Sequence, residues 1–479
     1  MGVPGTHSDF YARWREENEP RLFLGERDAA QPPERLLQSI WLHQRLRREE
    51  LQTLDGQPLR VLHPGFWNHA AGPDFHGAVL QFGHEAPRSG DVEIDRVPAN
   101  WQGHGHEGNP DFANVILQVV WNAAGTGPRP MLALEKFIDT PLAEIQQWGV
   151  AGAAREWPET LQGACADPLG GLAPEQTAEL LHQAAQVRFE RKAREMEARA
   201  RQAGWEQALW EGLFRALGYK QNTWPMQRIA ELLPRLRSFP DSVTGWQARL
   251  FGVAGLLPPE VSRAGADQYL RKLWDHWWRE RESFGDAILP RNLWRFSGLR
   301  PANQPQRRLA LAAHWLSTPD FIPRLERWFT SEKPEPSPAA SLLACLQAPE
   351  DEFWSRHWGL STPPLLRPQP LLGATRVTDL AVNVILPWFW VRAAAGRNEP
   401  LRKIALERYR VWPAAQDNAL LRLARRRLLA RALPARPTLA ATQQGLLQIV
   451  HDFCDHSNAI CADCQFPALV HGFQQQKQV

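Results

Sequence analysis

Carboxylate and histidine side chains that could bind a metal ion are concentrated between residues 61 and 121 of the 479-residue chain. In the run GDVEID, residues 90–95, apolar residues alternate with acids, which is typical of a half-buried β-strand. Side chains two positions apart share one face of a strand, so Asp91, Glu93 and Asp95 are predicted to project together. Three neighbouring anions repel one another unless water screens them or a cation lies among them. The pattern therefore indicates either a solvated strand face or a site for a hard divalent cation such as Mg²⁺.

A fourth carboxylate, Asp74, begins a second apolar run that extends to Phe82. If the two runs pair as a hairpin, Asp74 lies beside Glu93, and both would bind the same ion. His104 and His106 follow, separated by one glycine, and could share a face of an extended loop. This spacing is a weak metal signal, and a loop hydrogen bond or simple surface exposure is the alternative. His106 is kept as a candidate catalytic residue.

The surrounding pattern predicts the elements that would position these side chains. A helix is expected from Pro32 onward, because Leu36, Leu37, Ile40 and Trp41 share one face. The near-continuous apolar run at 115–121 predicts a central strand buried on both faces, and residues 131–137 a further strand. The predicted fold is thus α/β (α+β), a mixed sheet flanked by helices and followed by a large all-α region.

The order of these elements resembles the core of the PD-(D/E)XK nuclease superfamily. Pro73 and Asp74 match its PD element, and Glu93, Ile94 and Asp95 match its (D/E)XK element. The resemblance implies that Asp74 and Glu93 hold Mg²⁺ or Mn²⁺, that Ile94 offers a carbonyl, and that water attacks a phosphodiester. The sequence departs from the pattern at Asp95, where lysine is usual. An anion cannot stabilise negative charge developing on phosphate, so impaired catalysis is implied unless His104, His106 or Lys136 supplies a donor.

A second resemblance extends over nearly the whole chain. Its motifs are HPGxxNxxAGPDF near residue 63, GDVEI at 90–94, NWxxHGH at 100–106, LRPANxPxRRLA from residue 299, and a closing CxxxxxxCxxC. Together they resemble an uncharacterised bacterial family, the domain of unknown function numbered 2851. This resemblance implies no established activity.

Composition indicates an ordinary globular protein. Hydrophobic residues make up 43% and charged residues 22% of the chain. The net charge is only +3, so the overall electrostatic potential does not indicate a nucleic-acid-binding protein. The N-terminus does not read as a signal peptide, and the apolar run at 380–390 is too short to span a bilayer. A cytoplasmic protein without a membrane partner is expected. The predicted domains are a lead-in at 1–31, a nuclease-like domain at 32–150, a helical domain at 151–450 and a cysteine-containing tail at 451–479.

Two arginine-rich stretches are candidates for contact with nucleic acid. The first stretch surrounds a predicted helix start after residue 299, and its candidates are Arg300, Asn303 and Arg307. Arginine and asparagine side chains at a helix start can hold a phosphate. The basic run at 422–431 contributes Arg422 and Arg426. Ion pairs between helices and a solvated helix face are the respective alternatives.

The tryptophans at 274, 277 and 278 are interpreted as core residues, although exposed aromatic rings can also stack on bases. Protein partners are not predicted.

Three of the five cysteines, Cys454, Cys461 and Cys464, lie close together near the C-terminus. Their spacing predicts a zinc site or an iron–sulfur cluster, with buried free thiols as the alternative. The fourth ligand stays open among His451, His456, His471, Cys165 and Cys345.

Three functions are therefore open. The first is a metal-dependent nuclease-like protein that acts on or binds nucleic acid. The second is a non-catalytic scaffold on the same fold that binds nucleic acid or protein. The third and weakest is a metal-dependent phosphoesterase of small molecules that uses His63, His69, His104 and His106.

Overall fold

The structure is a computed structural model of the chain. It describes residues 9–22, 32–68, 72–103, 106, 108–123, 129–142, 166–219, 221–237, 242–260, 268–331, 337–429, 437–454 and 464–476. The chain forms two units, one of Met1–Arg191 with Gln416–Val479 and the other of Lys192–Ala415. The predicted helical domain, 151–450, is therefore divided between the two units, and its boundaries stay predictions.

The first unit contains the sheet. Its described strands are β1 (Leu59–His63), β2 (Phe66–Trp67), β3 (Phe75–Phe82), β4 (Arg88–Asp95), β5 (Val115–Val120) and β6 (Met131–Ala133). The order across the sheet is β1-β3-β4-β5-β6, and β2 pairs with β3. Strand β3 is antiparallel to β1 and β4, whereas β4, β5 and β6 run parallel. The acid-bearing strand β4 is therefore an interior strand, with a partner on each side.

The central strands are apolar and closely packed. Strand β5 reads VILQVV and is buried along nearly its whole length, as a strand covered on both faces requires. Where β4 approaches β5, a Cβ atom on Gly90 would lie 2.4 Å from the Cγ2 atom of Ile116, so only glycine fits there. The strand predicted for residues 131–137 is shorter than expected, because a 3₁₀ turn, Leu134–Lys136, follows β6.

Helix α2 (Glu34–His43) packs its apolar face against the sheet. Leu36, Leu37, Ile40 and Trp41 are buried, and the Trp41 indole donates a hydrogen bond of 2.9 Å to the carbonyl oxygen of Pro64. This contact fixes the helix against the loop after β1. The position of α2 matters for the site, since its Gln38 side chain extends toward Asp74.

The remaining helices surround apolar cores in each unit. Described helices are α1 (Phe10–Leu22), α3 (Asn100–Gly103), α4 (Ala166–Gly170), α5 (Pro174–Ala203), α6 (Trp205–Leu217), α7 (Thr223–Glu231), α8 (Leu233–Leu236), α9 (Val243–Val253), α10 (Gln268–Glu280), α11 (Pro305–Leu316), α12 (Phe321–Thr330), α13 (Pro338–Leu346), α14 (Ala374–Leu380), α15 (Leu386–Ala395), α16 (Glu399–Val411), α17 (Ala419–Leu428), α18 (Ala440–Ile449) and α19 (Phe466–Gln476). Within the described ranges, none of these helices combines the length and apolar character needed to cross a membrane. The arrangement confirms the predicted fold class, a mixed sheet with helices and a large helical region.

A buried polar network joins helices of the first unit at a π-helical turn, Val450–Cys454. Asp452 is its centre: Tyr11 donates a hydrogen bond of 2.8 Å to Oδ2, and Gln448 one of 2.8 Å to Oδ1. The Arg15 guanidinium pairs with Oδ1 at 3.3 Å. Although burial alone would raise the pKa of Asp452, the Arg15 charge and the contacts with His451 and Gln448 hold it well below its usual range.

Candidate metal centre

The side chains of Glu93, Asp95 and His106 form a compact set of metal-binding groups. One ligand atom from each lies within 4.8 Å of the other two. Glu93 and Asp95 project from the same face of β4, and their exposed fractions are only 7% and 0%. A solvated strand face, one of the two interpretations of this run, is therefore wrong, because the acidic face of β4 is covered by protein.

The imidazole of His106 is held by aromatic contacts. Its Nε2 atom lies 3.2 Å from Oε1 of Glu93. The ring stacks on Phe112 with 3.9 Å between centroids and meets the edge of Trp101 at 5.3 Å. These contacts orient the imidazole so that Nε2 points toward the carboxylates.

Asp74 lies directly beside Glu93, as the hairpin prediction requires. Its backbone N–H donates a hydrogen bond of 3.0 Å to Oε2 of Glu93, and the Ile94 N–H donates one of 3.0 Å to Asp74 Oδ2. The other carboxylate oxygen, Oδ1, accepts a hydrogen bond of 2.9 Å from Gln38 Nε2. Asp74 is not one of the three grouped residues, and it positions Glu93 through its backbone N–H.

Asp95 occupies the position at which the nuclease resemblance has lysine, and it belongs to the cluster. Gln118 on β5 donates a hydrogen bond of 2.8 Å to Asp95 Oδ2. The sequence interpretation missed Gln118 and Gln38. Gln118 is the single polar residue in the run VILQVV, and Gln38 follows Glu34 at helical spacing, so both left a signal in the sequence.

Asp91 is a predicted ligand that the structure does not bring into the cluster. Its Oδ1 accepts a hydrogen bond of 3.0 Å from the Gly77 N–H, and its Oδ2 lies 3.3 Å from His76 Nδ1. The pairing of β3 with β4 is irregular between Phe75 and Ala78, and the hydrogen bond to Asp91 stabilises the backbone there.

Burial and mutual repulsion change the titration of two of these carboxyls. Desolvation, strengthened by the charge of Asp74, raises the pKa of Glu93 from 4.5 to about 9. Desolvation also raises the pKa of Asp74 from 3.8 to about 7, although hydrogen bonds from Ile94 and Gln38 oppose the rise. A divalent cation would reverse this penalty, since it offsets the charges that burial disfavours. The donor set, two carboxylates and one imidazole nitrogen, fits Mn²⁺ better than Mg²⁺, which prefers oxygen ligands.

Other predicted ligands and donors lie away from the cluster or outside the described residues. His69, His104, Cys165, His456 and Cys461 fall outside the described residues. His63 is buried at the end of β1, where its Nδ1 accepts a hydrogen bond of 2.9 Å from the Gly65 N–H. Lys136 is exposed on the turn after β6.

Cys454 and Cys464 share one environment, whereas Cys345, a candidate fourth ligand, is buried in α13 of the second unit. Cys454 is buried in the apolar core between α1, α5 and the C-terminal helices, and Cys464 packs against the same core. His451, a candidate fourth ligand, has Nδ1 3.1 Å from Asp452 Oδ1 and Nε2 3.0 Å from Arg191 Nη1. Both ring nitrogens of His451 are therefore already engaged.

The residues predicted to contact nucleic acid differ in their exposure to solvent. Arg307 is fully buried, and its guanidinium binds the backbone carbonyl oxygens of residues 354, 357, 369 and 370. Asn303 Oδ1 accepts a hydrogen bond of 3.1 Å from Arg308. Arg307 therefore ties the segment between α13 and α14 to α11 and is not available to a phosphate. Arg300, Arg422 and Arg426 are exposed.

The tryptophans of α10 also divide. Trp277 is buried against Gly252, as the core interpretation expects. Trp278 is 46% exposed and stacks on Trp274 with 4.6 Å between ring centroids. The Arg281 guanidinium lies over the Trp278 ring at 3.2 Å. Trp278 is therefore a surface residue and not a core residue.

Comparison with known proteins gives one result. A family model described as "Protein of unknown function (DUF2851)" matches residues 34–418, which include the whole sheet and every residue of the candidate centre. No curated protein and no solved structure matches the chain significantly. The chain belongs to the DUF2851 family.

Proposed function

We propose that this protein is a divalent-metal-dependent phosphodiesterase that acts on nucleic acid, with its centre at Glu93, Asp95 and His106. The observation that supports the proposal most is the close approach of their ligand atoms, within 4.8 Å, at a buried position of β4. Two buried carboxylates beside an imidazole are costly without a cation, so such a set is found where an ion binds or a proton is moved.

The residues have distinct roles in this proposal. Glu93, Asp95 and His106 hold the ion through two carboxylate oxygens and Nε2. Asp74 fixes Glu93 through its backbone N–H, and Gln118 fixes Asp95, so neither carboxylate is free to rotate away. When bound, a divalent ion supplies Lewis acidity at a phosphoryl oxygen and a nucleophile at neutral pH.

The test is cleavage of labelled single- and double-stranded DNA and RNA by the purified full chain with Mn²⁺ or Mg²⁺. Glu93→Gln and Asp95→Asn are expected to reduce cleavage about 100-fold or more, since each removes a charged ligand. Asp91→Asn is the matched control, because it makes the same change on the same strand at the same 7% exposure as Glu93. Cleavage by wild type that persists in Glu93→Gln would refute the assignment.

A second candidate function is binding of nucleic acid without cleavage. The stack of half-buried Trp274 on exposed Trp278, with Arg281, favours it, because stacked aromatic rings and arginine hold single-stranded bases. The prediction is that single-stranded DNA quenches tryptophan fluorescence and that Trp278→Ala weakens its binding. Binding in either metal without cleavage would favour this candidate over the first.

We also propose a structural zinc or iron–sulfur site at Cys454, Cys461 and Cys464, of which Cys461 lies outside the described residues. Its support is the close spacing of the three cysteines in sequence, together with the packing of Cys454 and Cys464 at one apolar core. An absorption spectrum of anaerobically purified protein separates the two, since iron–sulfur clusters absorb visible light and zinc does not. Protein that contains neither metal would refute this proposal.

A further inference from the structure

Trp101 carries a polar group that the proposed metal centre does not use. Its side chain is only 6% exposed, and its indole N–H meets no acceptor among the described residues. Buried donors are nearly always paired, so a buried N–H without an acceptor calls for an explanation. A ligand that accepts a hydrogen bond is one such explanation.

Arg129, just before β6, lies against the same ring. Its guanidinium carbon is 4.0 Å from the centroid of the Trp101 ring. Within the described residues, no hydrogen bond or ion pair to Arg129 is present, and its side chain is partly exposed. Stacking uses the face of a guanidinium and leaves the N–H donors at its edge available to an anion.

Arg88 is a useful contrast in the same sheet. Its guanidinium also lies over an aromatic ring, that of Phe82, at 5.7 Å. However, Arg88 forms an ion pair with Glu85, so its positive charge already has a partner. An arginine over an aromatic ring is therefore not unusual here, but Arg129, unlike Arg88, has no anionic partner among the described residues.

Trp101 borders the candidate metal centre, and Arg129 lies against Trp101. The edge of Trp101 meets the His106 ring at 5.3 Å, and His106 Nε2 lies 3.2 Å from Glu93 Oε1. A continuous series of contacts thus leads from the Arg129 guanidinium through Trp101 and His106 to the carboxylates. A phosphate bound by Arg129 and the Trp101 indole would therefore lie on the side of the centre that Trp101 and His106 form.

We propose that the Arg129 guanidinium and the Trp101 indole N–H bind a phosphodiester group of the substrate next to the metal centre. This inference rests on the proposed function and extends it. It also accounts for the presence of Asp95 where the nuclease pattern has lysine. In this proposal Asp95 is a metal ligand, and Arg129 supplies the positive charge that the lysine would provide. The ligand class is a phosphodiester anion, which a planar guanidinium can bind through two parallel hydrogen bonds.

The experiment follows the tryptophan indole N–H resonances of ¹⁵N-labelled full chain during titration with diethyl phosphate in the presence of Ca²⁺. Trp101→Phe assigns the Trp101 resonance, because it removes the N–H and keeps an aromatic ring. The Trp101 resonance is expected to shift on titration. Arg129→Gln should weaken diethyl phosphate binding about tenfold or more, and Arg129→Lys should weaken it less. The matched control, Arg88→Gln, should bind as wild type does.

Two results would overturn the inference. One is a Trp101 resonance that does not move, and the other is an equal shift in wild type and Arg129→Gln. Mn²⁺ binding, measured separately by calorimetry, distinguishes this failure from failure of the proposed function. If Mn²⁺ binds and Glu93→Gln abolishes that binding while Arg129→Gln leaves diethyl phosphate binding unchanged, only the phosphate site is refuted. If diethyl phosphate binds through Arg129 but no ion binds at Glu93, the phosphate site stands and the metal-dependent function does not.

Discussion

Replacing Glu93 by glutamine is expected to stabilise the metal-free sheet at neutral pH. In the native protein, burial raises the pKa of Glu93 from 4.5 to about 9, so its carboxyl stays protonated at pH 7 whereas the unfolded one ionises. At roughly 1.4 kcal/mol per pKa unit, this difference costs the native state about 3 kcal/mol at pH 7. Glutamine is neutral at every pH and can still accept the hydrogen bond from the Asp74 N–H, so the variant avoids this cost.

The sign of the pH dependence follows from proton binding. Between the unfolded pKa of 4.5 and the native pKa of about 9, the native state binds more protons at Glu93 than the unfolded state does. The free energy of unfolding of the metal-free wild type therefore falls as pH rises through this window. In Glu93→Gln that contribution is absent, and only the smaller one of Asp74, whose pKa is raised to about 7, remains.

Hydrogen exchange read by mass spectrometry on β4 peptides, in the presence of a chelator, measures this free energy for the sheet alone. We expect Glu93→Gln to exceed wild type by about 3 kcal/mol at pH 7 and by much less at pH 5. Mn²⁺ should stabilise wild type and not the variant, because it binds the native carboxylates. Asp91→Asn should keep the wild-type pH dependence. If wild type and Glu93→Gln have the same pH dependence from pH 5 to 8, burial of Glu93 carries no such cost and the reasoning is refuted.

Three further substitutions test the packing outside the site. Asp452→Asn should cost about 3 to 5 kcal/mol, because it removes the buried charge that pairs with Arg15. Since the pKa of Asp452 is depressed, this difference should shrink as pH falls below the unfolded value of 3.8, and thermal unfolding across pH measures it. Arg307→Lys should lower the free energy of unfolding by about 2 to 4 kcal/mol, since lysine cannot bind all the carbonyl oxygens that the guanidinium holds. Faster hydrogen exchange at residues 353–371 would measure this effect. Gly252→Ala should cost about 1 to 3 kcal/mol, because its Cβ would lie 2.2 Å from the Trp277 ring; urea unfolding followed by fluorescence measures it.

Each of these substitutions has a control in the chain. Asp9→Asn removes an exposed partner of Arg13 and should change stability by less than about 0.5 kcal/mol. Arg300→Lys alters an exposed arginine near Arg307, and Gly285→Ala adds a methyl group where no atom lies within 4 Å. A substitution that costs no more than its control would contradict the contact from which its effect is derived.

The sequence predicted the strands of the site well, because alternation is a local property. The run at 90–95 predicts β4, and the apolar run from Phe75 predicts its antiparallel partner, so Asp74 and Glu93 were expected side by side. The depth of their burial was not predictable in the same way. It depends on α2 and the loop around Phe112, which cover the acidic face of β4 from distant parts of the chain.

The ligand set was only partly predictable. Asp91, Glu93 and Asp95 have equivalent positions in the alternating pattern, but the irregular pairing of β3 with β4 turns the Asp91 carboxylate to the Gly77 N–H. Asp95 looked like the loss of a lysine and lies instead among the three residues that could hold a metal ion. A pattern of residue types cannot distinguish these outcomes, because they depend on which backbone donors face each carboxylate.

Arginines and tryptophans show the same limit in the second unit. Arg300 and Arg307 belong to one motif, yet the first is exposed and the second is buried on backbone carbonyl oxygens. Trp277 and Trp278 are adjacent, but successive helical side chains point about 100° apart, so one packs on Gly252 and the other faces solvent. Exposure of such residues follows from helix packing, which their own sequence neighbourhood does not specify.

The most direct test of the metal centre is an anomalous difference map from crystals of the full chain grown with Mn²⁺. We expect a peak bounded by the carboxylates of Glu93 and Asp95 and by Nε2 of His106, and no peak there in crystals of Glu93→Gln. Wild-type crystals that bind Mn²⁺ only elsewhere, or not at all, would contradict the assignment of these residues as the metal centre.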